Sequence, residues 1–274
     1  MRLLPNRRAT DLLAAMLLEG APALEGWRRW TLGTRNAKRA LGDDAMMARP
    51  LLAMLYDGVR RNALPVDEET ATYLRSAFLT ESLRSRAYRE IVNELTDLLR
   101  AADVEFLLIR GAALGELYYA DAALRHAHDI EILVDDAAVV RAALGASRFR
   151  AAAGGFVHAS GLPLRVHERL CIPVQVTMSL ASGVHTLDAA GALAQALVHA
   201  SGSISRRSCR WVCDAHAIVR SGTVDWPLFS ELVTAAGATS AVRRQLAWLR
   251  SALGVPVPSD VLAPVATPWW RLRS

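Results

Sequence analysis

The sequence predicts an α+β fold: a small mixed β-sheet with helices at residues 101–182, flanked by helical regions at 1–100 and 183–274. Three observations predict it. Apolar residues recur at helical spacing through the first hundred positions, short strand-like runs occur only between Val104 and Met178, and helical spacing returns from Leu187 onward. The composition permits such a fold. Of 274 residues, 52% are hydrophobic and 22% charged, which supplies a sizeable core and excludes a disordered or fibrous chain.

In the N-terminal region the apolar sets are Leu12, Leu13, Met16 and Leu17, then Leu51, Leu52, Leu55 and Val59, then Tyr73, Leu74, Ala77 and Phe78. Gly- and Pro-containing breaks at 20–26, 42–50 and 62–65 separate the first of these helices. Tyr88, Ile91, Val92, Leu95, Leu98 and Leu99 form the clearest stripe, opposed by Arg89, Glu90, Asn93, Glu94 and Asp97. The run 104–109 then reads as a buried strand, with Gly111 opening a helix that reaches Tyr119. Residues 129–134 alternate, so a strand there puts Asp129 and Glu131 on one face and Ile130, Ile132 and Val134 on the other. A helix follows at 136–145, and Gly154-Gly155 makes a turn. Residues 164–169 and 171–178 read as two strands paired with each other, pushed toward a sheet edge by Pro163 and Pro173. Helices are expected at 187–200, 207–220, 226–236 and 240–253.

The formal net charge is +5, and Lys38 is the only lysine among 32 basic residues. Arginine grips phosphate or carboxylate with a planar fork and forms no Schiff base. A basic balance suits a polyanionic partner, and equally a genome rich in arginine codons. The arginines are dispersed, and no nucleic-acid-binding signature stands out. The run 12–18 is too short to span a bilayer, and three cysteines do not make a disulfide framework in a chain of this length. A cytoplasmic protein without a membrane partner is expected. The tail Trp269-Trp270-Arg271-Leu272-Arg273 fits docking on its own domain better than a membrane surface.

The chemistry concentrates between Phe106 and Val134. Two carboxylates one residue apart on a strand repel each other unless a cation sits between them, and Mg²⁺ suits such a pair because it takes oxygen ligands and substrate phosphates together. A glycine at a strand-to-helix turn lets backbone approach a phosphate beside the helix N-terminus. These are parts of a phosphoryl- or nucleotidyl-transfer site, although an acid-apolar-acid triplet on a solvated strand face is equally common. Elsewhere, Cys209, Cys213 and His216 share a helical face, and with His199 they have the right chemistry for zinc. They lack a short Cys-x-x-Cys knuckle, and buried core cysteines are the commoner reading. Arg206, Arg207 and Arg210 make a basic helix start, most simply a solvated one.

The run Leu108-Ile109-Arg110-Gly111-Ala112-Ala113-Leu114, followed by Leu117-Tyr118-Tyr119, Arg125 and Asp129-Ile130-Glu131-Ile132-Leu133-Val134, resembles a family of uncharacterised bacterial nucleotidyltransferases within the DNA polymerase β-like superfamily. The resemblance covers roughly residues 85–240, more weakly around His199, Trp211, Asp214 and Asp225-Trp226. It implies a nucleotidyltransferase-like core in which Gly111 and Ala112 contact phosphates. Arg110, where the family usually has Lys, neutralises them, Arg125 either does the same or fixes the carboxylate strand, and Asp129 and Glu131 bind two Mg²⁺ ions. The implied substrate is a nucleoside triphosphate, ATP by default, and the acceptor is a small molecule, peptide, protein or RNA. The family's later strand carries a third acid. Gln175 stands in that place here and cannot act as a general base. Glu168, His167 and His128 are the substitutes to look for. Two readings follow: an active transferase, or a catalytically degenerate nucleotide- or partner-binding module of the same fold.

Overall fold

The computed structural model describes residues 4–43, 48–145, 147–202 and 209–263. Arg206, Arg207 and the Trp269–Arg273 tail lie outside the described residues. The N-terminal region folds into α1 (Arg7–Leu17), α2 (Ala21–Thr31), α3 (Ala37–Asp43), α4 (Leu52–Arg61) and the 34-residue α5 (Glu68–Ala101). Side-chain caps fix several starts: Asn6 accepts from the Ala9 amide at 2.8 Å, and Asp67 from the Thr70 amide at 2.7 Å. Helix α5 is long because its buried stripe drifts. Thr70 and Leu74 face one core, whereas Tyr88, Ile91, Val92, Leu95 and Leu99 face another.

The central sheet has seven strands: β1 (Leu107–Ile109), β2 (Ile130–Leu133), β3 (Phe149–Ala152), β4 (Gly155–His158), β5 (Pro163–His167), β6 (Thr177–Ser179) and β7 (His185–Leu187). Their order is β3-β4-β5-β2-β1-β7-β6. The sheet is mixed: β2 is antiparallel to β1 but parallel to β5, and β1 is parallel to β7. Short helices α6 (Gly111–Tyr118) and α7 (Ala137–Leu144) follow β1 and β2. Helices α8 (Ala189–Ser201), α9 (Arg210–Arg220), α10 (Trp226–Ala235), α11 (Thr239–Leu253) and α12 (Ser259–Leu262) complete the described chain.

Strand alternation sorts the core into two clusters. Leu108, Ile130, Ile132 and Leu164 pack with α7 and the later part of α5. Ile109 and Leu187 point the other way, onto a cluster built by α1, α2, α4 and α8–α11. The helical regions that flank the sheet in sequence therefore share one core, on the face that also carries Glu131.

One expected pairing is corrected. Residues 164–169 and 171–178 do not pair with each other, because β5 has β4 on one edge and β2 on the other, leaving it no free edge. Residues 171–176 form no strand; only Thr177–Ser179 does, pairing with β7 at the far edge of the sheet. The Gly154-Gly155 turn is present and links β3 to β4.

Candidate functional site

Arg110 joins β1 to α6, and its backbone sits at φ 57°, ψ −129°. A non-glycine residue in this region carries a steric cost of order 1–3 kcal/mol, which the surrounding structure must hold in place. Gly111, the glycine expected to let backbone approach a phosphate, is the next residue. A Cβ on Gly111 would meet the Ala127 Cβ at 2.8 Å, so the glycine lets α6 start tight against that residue. No side chain caps the first turn of α6.

The strained turn sets the Arg110 side chain across the sheet face. Its Nη1 donates to Glu131 Oε2 at 2.5 Å, and Nη2 lies 3.4 Å from His199 Nδ1. The Gln195 amide, with its oxygen turned toward Arg110, accepts from Nη2 and Nε at 3.0 and 3.1 Å. Gln195 and His199 reach this point because they sit four residues apart on α8, one turn along the same face. The α8 start is fixed by Asp188, which accepts from the Gly191 amide at 2.8 Å.

Across the sheet, β5 runs parallel to β2 with Arg165 opposite Glu131 and His167 opposite Leu133. Leu164 and Val166 turn toward α7, so Arg165 and His167 share the face of Asp129 and Glu131. The Arg165 guanidinium donates to Asp129, and His167 Nε2 donates to Glu131 Oε2 at 2.9 Å. Burial pushes the Glu131 carboxyl up, but the His167 hydrogen bond and the Arg110 charge outweigh it, and the group ends below the ordinary range. Burial, followed by the Arg110 charge, lowers His199.

The other sequence-derived candidates separate from this cluster. Arg125 is committed elsewhere: Nε and Nη2 grip Asp214 of α9 at 2.6 and 2.9 Å, Nη1 donates to the His126 carbonyl, and both side chains are nearly buried. Gly111 and Ala112 line a cavity bounded by α5 and Leu108, whose side chain lies on the sheet face opposite to Ile109 and Glu131. Gln175 is exposed in the strandless segment before β6. Glu168 accepts from the Ala137 amide at the start of α7, at 2.9 Å. His128 meets the His126 ring edge-on at 4.4 Å, and His126 Nδ1 in turn contacts Glu81 at 2.8 Å. Burial, then the neighbouring His126 and Arg210, lowers His128. Of the three substitutes sought for the missing acid, only His167 touches the acid pair. Cys209, Cys213 and His216 face the core, and among the described residues no three His, Cys, Asp or Glu side chains are placed to hold a metal ion.

Sequence reasoning passed over Arg165, Gln195 and the site position of His199. Two patterns mark them: the Arg-Val-His alternation of β5, and the pair of polar residues at i, i+4 in an alanine-rich helix.

Residues 44–158 match the model of a family described as uncharacterised nucleotidyltransferase. This span, 115 of the 274 residues, is similar to that family. It contains the strained turn, the acid pair and most of the cavity wall, and it begins and ends earlier than the resemblance read from the sequence. The match supports nucleotidyl transfer as the general activity. No curated protein and no solved structure matches the chain. Among the described residues no helix is long and apolar enough to cross a membrane.

Proposed function

We propose that this chain binds a nucleoside triphosphate, by default ATP, over Arg110 and the Asp129–Glu131 pair, and transfers its nucleoside monophosphate to an acceptor hydroxyl in the cytoplasm. The observation that carries the reading is the strained Arg110 turn, which sets a guanidinium on Glu131, on the strand face shared with Asp129.

The bond formed joins the acceptor oxygen to the α-phosphorus, the bond broken is that between α-phosphorus and the bridging oxygen, and pyrophosphate leaves. Arg110 and Arg165 exchange carboxylate partners for phosphate oxygens, where a two-pronged grip is strong. His167 replaces the missing acid. Its Nε2–H is held by Glu131, while Nδ1, with no hydrogen-bond partner among the described residues, takes the acceptor proton, an arrangement in which a carboxylate orients the base. Asp129 and Glu131 offer hard oxygen ligands that fit one Mg²⁺, which when bound neutralises charge on the phosphates. The donor set does not fit two such ions, because the cross-strand neighbour of Glu131 is an arginine.

That arginine also favours the second reading, a nucleotide-binding module without catalysis: a cation already occupies the position that a third acid would take. Label transfer separates the two. Each α-³²P nucleoside triphosphate is incubated with the protein and with small-molecule, peptide, protein and RNA acceptors, and Glu131→Gln is run beside wild type. Transfer should fall by a factor of about 10²–10³ in the variant. Equal labelling by both proteins refutes the site, and binding of nucleotide by wild type without any transfer selects the module.

A further inference from the structure

A second site lies behind the turn. The cavity lined by Gly111 and Ala112 measures about 350 Å³, within the range of small-molecule sites. Its apolar wall is built by Val92, Leu108, Leu117, Leu180 and the ring of Tyr88, together with Ala112. It lies on the Leu108 side of the sheet, whereas Ile109 and Glu131 face the other side, so a molecule bound there does not touch the acid pair.

The polar groups around this space are satisfied by one another. Arg84 donates to Glu81 at 2.8 Å, and Arg89 donates to Glu116 at 3.1 and 2.9 Å from Nε and Nη2. The Tyr88 hydroxyl donates to the Ala127 carbonyl at 2.9 Å, and Arg125 is spent on Asp214. Among the described residues, no buried side-chain nitrogen or oxygen in the cavity wall lacks a partner. A charged ligand would have to draw on the part-buried Glu81–Arg84 pair or lose its hydration without compensation, and both carry a cost, whereas the exposed Arg89–Glu116 pair contributes little either way. An uncharged ligand meets neither cost and gains from the apolar wall.

We propose that this cavity is a binding site for an uncharged, predominantly apolar small molecule, separate from the acid cluster. Its wall includes the first residues of α6, so the occupant rests against the inner side of the strained turn.

The probe is 1-aminoanthracene, a neutral three-ring fluorophore, titrated into the full chain and followed by its emission. Saturable binding of one equivalent is expected. Anthracene-1-sulfonate, with the same rings and a fixed negative charge, should bind at least tenfold more weakly in a competition titration. Ala112→Phe and Val92→Phe, which fill the space from opposite walls, should each weaken the neutral probe at least tenfold, with circular dichroism and unfolding midpoint checking the fold. Absence of saturable binding, equal affinity for the sulfonate, or unchanged affinity in both folded variants overturns the proposal. Where a variant does not fold, the comparison of the two probes on wild type decides alone.

Discussion

Arg125–Asp214 and Arg110–Glu131 are both arginine–carboxylate pairs, the first joining the matched segment to α9 and the second lying within that segment, and they are built to opposite ends. Asp214 receives both prongs of Arg125 and the Tyr119 hydroxyl at 2.7 Å; its side chain is 5% exposed and that of Arg125 10%. Burial and the Asp214 charge push the Tyr119 phenol far above its ordinary range, which keeps it a neutral donor. Every strong donor and acceptor in this joint is consumed, and it ties the turn at Ala122–Leu124 to α9. Arg110 instead gives Glu131 a single prong, shares itself with Gln195 and His199, and stands on a strained backbone. A closed pair fixes a fold, whereas a shared and partly open one is ready to trade partners with an incoming anion.

The sharpest way to break the comparison is to remove the acid from the closed pair. Asp214→Ala leaves a guanidinium buried without its counter-charge, and a stability loss of about 3–5 kcal/mol is expected from urea unfolding at neutral pH. Glu131→Gln keeps a hydrogen-bond acceptor in a more open site and should cost clearly less. Equal losses for the two variants would show that the pairs are structurally equivalent and that openness does not mark a site.

Acid separates the same two regions. His216, two residues beyond Asp214 on α9, is buried with Nε2 unpartnered. Burial, aided by the Arg220 and Arg61 charges, lowers it to about 4. In the unfolded chain the ring protonates near its ordinary 6.5, so the unfolded state binds more protons between about 6.5 and 4. Stability that is full above this window is therefore lost as pH falls through it. Glu131 works lower: its carboxyl is depressed, so the stability it adds is present above the ordinary carboxylate range and lost only as pH falls through its own folded value. Replacing the ring by His216→Gln should flatten the decline in unfolding free energy between pH 7 and pH 5, which amounts to on the order of 2 kcal/mol in wild type. An unchanged slope would assign the acid sensitivity to another group.

Much of this was legible in the sequence, and the limits have physical reasons. The block from Leu108 to Val134 announces a strand, a turn, a helix and an acid-bearing strand, because alternation and helical spacing are local signals. The long α5 was legible for the same reason. The place of the third acid was not. The neighbour of β2 is a parallel strand reached through a crossover, and neither its identity nor its register is written locally. Gln175 was expected on a strand beside the acid pair, whereas it is exposed outside any strand, and Arg165 and His167 were not read as an in-phase pair facing Glu131. Arg125 was legible as important, but only its buried partner on α9 shows that the importance is structural. The glycine motif marked the turn but not its strain, because the positive φ falls on Arg110, a residue type that gives no local signal for it.

Arg165 offers the finest test, because its pair with Asp129 is the more open neighbour of Arg110–Glu131, with 53% of the arginine side chain accessible. Surface ion pairs contribute little, so Arg165→Ala should change unfolding free energy by no more than about 0.5 kcal/mol. Its electrostatic role is larger than its structural one. Standing opposite Glu131, it places positive charge where a divalent cation would gain a third oxygen ligand. Arg165→Glu reverses that charge and completes an acidic trio on the sheet face. Calorimetric titration with Mn²⁺ should show about tenfold tighter binding in this variant than in Arg165→Ala, equivalent to about 1.4 kcal/mol. If the two variants bind the ion equally, residue 165 is not at the ligand position and the register argument for the missing acid fails, while the small stability change expected of Arg165→Ala would stand untouched.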